Sequence, residues 1–165
     1  MTSEELKERL RGKMKAMTDY LAGSRVRDLI GAIAVEHFRQ SFADEGFTDT
    51  KLNPWKEVKR RDPDSPWYGH SGQTGKFSEA RTKTPILSGE TGHLRAAFKY
   101  VPTAKGVRIS NTAPYAAVHQ YGLPAKVYGK HPFTMPKRPF MGDSEVMKKE
   151  MKEEILRDLT DILKS

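Results

Sequence analysis

The chain has no cysteine among its 165 residues. Disulfide cross-links, thiolate nucleophiles and Cys-ligated zinc are therefore excluded. Long hydrophobic runs are also missing. No stretch is apolar enough to cross a bilayer, and the opening MTSEELKERL reads as a charged helix start, not a signal peptide. The sequence thus predicts a soluble cytoplasmic protein with no membrane partner. Apolar residues make up 36% of the chain and mean hydropathy is −0.70, low for a self-sufficient monomer of this length. Either part of the apolar surface is buried in an assembly, or solvated helices account for the values. One domain over residues 1–165 fits this size, and two do not.

The most informative absence is local. No Asp or Glu occurs from Thr91 to Gly142, while Arg95, Lys99, Lys105, Arg108, Lys126, Lys130, Lys137 and Arg138 all lie there. The whole chain has a formal charge of +8, so this segment carries the imbalance and the remainder is close to neutral. A segment of one sign meets nucleic acid or an acidic protein surface, or else forms a solvated basic face. Tyr100, Tyr115, Tyr121, Tyr128 and Phe140 interleave with these cations, as a nucleic-acid face requires. No helix-turn-helix, RNP-like strand or zinc finger accompanies them, and aromatics at strand spacing serve equally as core or interface. A sequence-nonspecific nucleic-acid-binding module using the 91–142 face is the rival reading.

What is present is helical at both ends. Leu6, Leu10, Met14, Met17 and Leu21 form one apolar stripe, with Ser3 as N-cap and Glu4 and Glu5 in the first turn. Gly23 stops that helix, and Ser24 caps a second carrying Val26, Leu29, Ile30, Ile33, Phe38 and Phe42. So short a link predicts an antiparallel helical hairpin over 1–44. A C-terminal helix over 143–164, capped by Asp143 or Ser144, turns Met147, Met151, Ile155, Leu159, Ile162 and Leu163 inward. Between them, NPWKEVK is a turn and a short packed segment anchored by Trp55. Residues 62–83 are rich in Pro, Gly and Ser without any period and read as a flexible arm. Residues 84–142 turn to β character: FKYVPT and GVRIS are short strands, YAAV is a helical turn, and Pro132, Pro136 and Pro139 hold later strand residues, Tyr128 and Phe133 among them, to an edge. The fold class is α+β: a helical hairpin, a small mostly antiparallel sheet, and a C-terminal helix packed on it.

The candidate chemistry is sparse. His37, His70, His93, His119 and His131 share no i, i+4 helix face and no carboxylate motif, so neither a metal nor a cofactor site is expected. Ser88 lacks a nucleophile elbow, and the acid-free segment offers nothing to orient His119 as a catalytic base. GQTGK at 72–76 carries Phe77 where a phosphate loop needs Ser or Thr. In APYAAVHQYGLP, Pro114 begins a turn and Gly122 ends it with positive φ. His119 and Gln120 are placed to hydrogen-bond backbone groups of neighbouring loops. These residue types are explained without catalysis.

Three boxes recur in order: LSGETGHLR, YAAVHQYG (Tyr115, Ala116, His119, Gln120, Gly122) and PKRPFMG (Pro136 to Gly142), with Pro54–Trp55 upstream. From about Phe38 onward the chain resembles the phage virion morphogenesis family, which includes tail-completion proteins of P2-like and Mu-like tailed bacteriophages. Met141 stands where the family has leucine, and the 62–83 arm is this chain's own elaboration. The resemblance implies a non-enzymatic virion protein of the tail or neck, assembled in the bacterial host cytoplasm. It implies a homo-oligomeric ring, often sixfold, that caps the tail tube or joins it to head–tail connector proteins, with DNA in the channel as a further partner. Assembly contacts are then expected at Trp55, Trp67, Tyr68, Arg95, Tyr115, His119, Gln120, Gly122, Arg138 and Phe140.

Overall fold

Thr2, not Ser3, starts the first helix. Its hydroxyl accepts from the Glu5 N–H at 3.1 Å, and the Glu5 carboxylate accepts from the Thr2 N–H at 2.6 Å. This reciprocal cap satisfies two orphan donors at once. The computed structural model describes residues 1–127 and 129–165. Tyr128, read above as an interleaved aromatic and a strand residue, lies outside the described residues. Helix α1 spans Ser3–Ala22 and α2 spans Ser24–Ala43, and Gly23 is at once the last cap of one and the first of the next. Ser24 therefore lies inside α2 and does not cap it.

Helix α2 is the organising element. One face buries Ala34, Val35, Phe38 and Phe42, and Gly31 lets the ribbon beyond it approach. A Cβ on Gly31 would stand 2.3 Å from the Tyr100 ring, so a larger residue would push the ribbon off the helix. The antiparallel pairing expected of the sheet is divided among three two-stranded ladders. These are β1 (Gly46–Thr48) with β2 (Leu52–Pro54), β3 (Phe98–Pro102) with β4 (Val107–Asn111), and β5 (Pro124–Val127) with β6 (His131–Thr134). Short helices α3 (His93–Ala96) and α4 (Ala116–Tyr121) flank β3–β4. Helix α5 (Glu145–Lys164) starts at a buried Ser144, whose hydroxyl accepts from the Met147 N–H at 3.2 Å. It reaches the core through Met147 and Met151 and runs along α1 and α2.

The core is an aromatic cluster. Phe42 lies 5.5 Å from both Trp55 and Phe140, and Phe98 lies 5.8 Å from Phe140 and 5.9 Å from Phe38. Such tilted and edge-on pairs add to the area they bury. Phe140 is fully buried.

The 62–83 segment is built of successive turns and ends in a 3-10 helix, Glu79–Thr82. Backbone bonds run from Ser65 to Asp62, Tyr68 to Ser65 and His70 to Trp67, and His70 pairs with Phe77 across a single bridge. Arg60 spans its base. The guanidinium donates to the Arg81 and Thr84 carbonyls at 2.6 Å and to Pro85 at 2.8 Å. The GQTGK stretch is a turn followed only by a single 3-10 turn over Glu79–Thr82, so the dipole and N–H array that an α-helix gives a phosphate loop are missing there.

Candidate functional site

The three sequence boxes converge on α4. In the first, Leu94 is buried and Asn111 at the end of β4 fixes it. The Asn111 amide donates to the Leu94 carbonyl at 2.8 Å, and its oxygen accepts from the Ala113 N–H at 3.0 Å. Upstream, Glu45 accepts from the Ile86 N–H at 2.8 Å while paired with Arg61 at 2.7 Å. The Arg61 contacts and that N–H hold the Glu45 carboxyl below its ordinary range, against its partial burial.

The second and third boxes are joined by one side chain. Gln120 donates from Nε2 to the Met141 carbonyl at 2.6 Å, and its Oε1 accepts from the N–H groups of Phe140 at 2.9 Å and Met141 at 3.3 Å. Gly122 closes α4 with φ 69°, where a Cβ would sit 3.0 Å from the Lys137 backbone nitrogen and the Met135 carbonyl. Its conformation and its space both require glycine. The Arg138 N–H donates to the His119 carbonyl at 2.8 Å.

His119 behaves differently from its neighbour. Its Nδ1 is buried with no hydrogen-bond partner among the described residues, so the side-chain bond expected of it is not formed. The ring stands edge-on to Tyr115 at 6.2 Å. Burial, and secondarily the Arg138 charge, press its pKa below 6.5 and favour the neutral imidazole.

Arg138 is 4% exposed. Its guanidinium donates to the Lys56 carbonyl at 3.0 and 2.9 Å and to Glu57 at 3.4 Å. Trp55 seals the same seam by donating from its indole N–H to the Pro139 carbonyl at 2.6 Å. Burial lowers the Arg138 pKa, opposed by Glu57 and reinforced by Arg60.

These positions revise several expectations. Trp55, Arg138 and Phe140, expected at an assembly contact, are inside the subunit, because each fills or ties the seam between the 55–57 and 138–141 segments. Gln120 and Gly122 likewise shape that junction. Of the remaining candidates, Arg95, Tyr115 and Trp67 are exposed, and Tyr68 is partly buried. Tyr121, Leu123 and Phe133, not among them, also expose apolar surface beside α4 and on β6. The stapling roles of Arg60, Glu45 and Asn111 carried no local signal, since the carbonyls of Arg81, Thr84, Pro85 and Leu94 and the Ile86 N–H that they hold lie 17 or more residues away in the chain. Chemically, the side-chain donors and acceptors of Gln120, Arg138 and Trp55 at the junction are committed to backbone groups, and His119 Nδ1, among the described residues, is not. Among the described residues, no group of three or more His, Asp or Glu side chains could hold a metal. No helix among them is long and apolar enough to cross a membrane.

A model of the phage virion morphogenesis family matches residues 57–160, and the chain belongs to that family. All three boxes lie inside the match, and Pro54 and Trp55 fall just before it. Membership makes this a bacteriophage protein of virion structure or assembly, and it points to a structural rather than a catalytic class. No curated protein and no solved structure matches the chain.

Proposed function

We propose that the chain is a tail-completion or head–tail joining protein that works as a ring of identical copies at the neck or the head-proximal end of the tail. The observation that supports a self-assembling role is the uncovered stripe of α1. Leu6, Leu10, Met14 and Leu21 are 43%, 52%, 69% and 51% exposed, although they share one helix face. Helix α1 runs antiparallel to α5, with Tyr20 donating to Asp158 at 2.7 Å and Lys13 meeting the Leu163 carbonyl. Residues 3–12 therefore extend beyond the last described turn of α5, all of them exposed. A helical stretch of that length is marginal in water by itself, whereas covering each such leucine contributes about 1.5–3 kcal/mol. A head-to-tail ring places a different patch of the next copy against this stripe.

Light scattering on eluting protein, with negative-stain images, tests the reading. The expected result is a closed oligomer, and the triple variant Leu6→Ser, Leu10→Ser, Met14→Ser should dissociate it while leaving the circular dichroism spectrum of the folded subunit nearly unchanged. A chain that stays monomeric at high concentration, and also with tail tubes present, refutes the ring.

A further inference from the structure

The acid-free segment is not one uniform basic face. Arg138 leaves it for the interior, and three of its cations fall on the β3–β4 ribbon. Lys99 stands opposite Ser110 and Arg108 opposite Val101, and all four side chains are exposed. Alternation along the ribbon places them on its outward face, with Lys99 and Arg108 as diagonal neighbours. The inward face carries Phe98, Tyr100 and Ile109 against α2. Lys105 lies in the turn that joins the strands.

Helix α2 supplies two further cations that the segment's composition does not reveal. Arg27 donates to the Ala104 carbonyl at 3.3 Å and so sits at the ribbon tip beside Lys105. Arg39 lines the groove between α2 and the free edge of β3 together with Lys99 and Val101. Glu36 is the acid that lines the same groove. None of the five cations forms an ion pair with a carboxylate among the described residues, whereas Arg61, Arg81, Lys148 and Arg157 elsewhere all do.

We propose that this ribbon, with Arg27, Arg39, Lys99, Lys105 and Arg108, is a sequence-nonspecific contact surface for the phosphate backbone of duplex DNA. The choice of DNA over an acidic protein rests on what the outward face lacks. The centre of a protein interface is depleted of charge and anchored by aromatic or large apolar groups. Here the exposed face is Lys, Arg and Ser with Val101 as its single apolar side chain. Spaced, unpaired cations on a rigid two-stranded scaffold suit phosphates, and a ribbon of this kind fits the width of the B-DNA major groove. The inference is independent of ring formation. It draws on the virion reading only for where DNA is met.

The test is fluorescence anisotropy with a labelled 20-bp duplex of arbitrary sequence, titrated at 50–200 mM NaCl. Five phosphate contacts give a slope of log K against log salt of about −4.5, a loss of about 500-fold across that range. The variant Lys99→Gln, Lys105→Gln, Arg108→Gln should bring the slope to under half the wild-type value. Lys126→Gln with Lys130→Gln, on the β5–β6 ladder and its turn, should leave it in place. Absence of duplex binding at 50 mM, a slope unmoved by the triple variant, or capture of polyglutamate in place of DNA overturns the proposal. Light scattering on the same samples separates this outcome from failure of the ring, because each can be lost with the other intact.

Discussion

Replacing Gln120 by leucine is the sharpest probe of the junction between the second and third boxes. The substitution keeps approximate volume and removes both ends of a bridge. The Phe140 N–H loses its acceptor at 2.9 Å and the Met141 carbonyl loses its donor at 2.6 Å. Phe140 is fully buried and Met141 partly so, which keeps water from replacing these partners freely. Each buried backbone group left unpaired costs about 1–3 kcal/mol, giving roughly 2–4 kcal/mol for the pair once the partial exposure of Met141 is allowed for. In a chain of this length 1 kcal/mol corresponds to about 2–4 °C, so the midpoint should fall by roughly 4–16 °C. Urea titration and thermal unfolding read the change. His119→Leu is the matched control one residue away. Its Nδ1 has no hydrogen bond to lose among the described residues, so the change should stay within about 0.5 kcal/mol or stabilise slightly. A cost below about 1 kcal/mol for Gln120→Leu, or equal costs at the two positions, would show that the bridge does not hold the junction.

Arg138→Lys should destabilise by about 2–4 kcal/mol in urea titration, because an ammonium cannot reproduce the fork that meets the Lys56 and Glu57 carbonyls and leaves the buried site underpaired. The same variant should leave the salt dependence of DNA binding unchanged, which separates it from Lys99 and Arg108. His119 sets a pH dependence whose sign follows from its lowered pKa. The fold keeps the imidazole neutral where an unfolded chain would protonate it, so protons favour unfolding. Its contribution is flat above about pH 6.5 and turns against the fold as pH drops below that value, with a slope of at most one proton. Comparing melting temperatures of wild type and His119→Leu from pH 7.5 to 5.5 isolates it: the wild type should lose more. Loss of association in the α1 stripe variant with the folded subunit's spectrum retained completes the set, measured by light scattering beside circular dichroism.

The termini and chemistry of this chain were legible because their signals are local. Apolar residues at helical spacing, Gly23 between two helices, and Ser144 before α5 each act within a turn or two of themselves, and the structure places α1, α2 and α5 accordingly. The three boxes, in order, carried the family. Less was legible where one residue type serves opposite purposes. Leu6, Leu10 and Met14 have the spacing of a buried stripe, yet the helix extends beyond the body and leaves them exposed. Arg138 looked like one more cation in a basic run, and became a buried tie because the backbone at 56–57 turns two carbonyls toward it. His119 and Gln120, adjacent and similarly polar, divide into an unpaired ring and a three-bond bridge. The turn of about 100° between successive residues of a helix points only Gln120 at the 140–141 backbone.

The sequence by itself therefore determined the elements, the absence of thiol chemistry, the charge imbalance and the family. Each depends on residue identity and short-range order alone. Only the tertiary structure decided which cations are free, which apolar stripe is uncovered and which polar side chains are committed to backbone groups. Those outcomes depend on the partner that packing brings from far along the chain, as Trp55 meets Pro139 and Arg27 meets the turn at Ala104. Burial and pairing are properties of that encounter, and no window of sequence contains both sides of it.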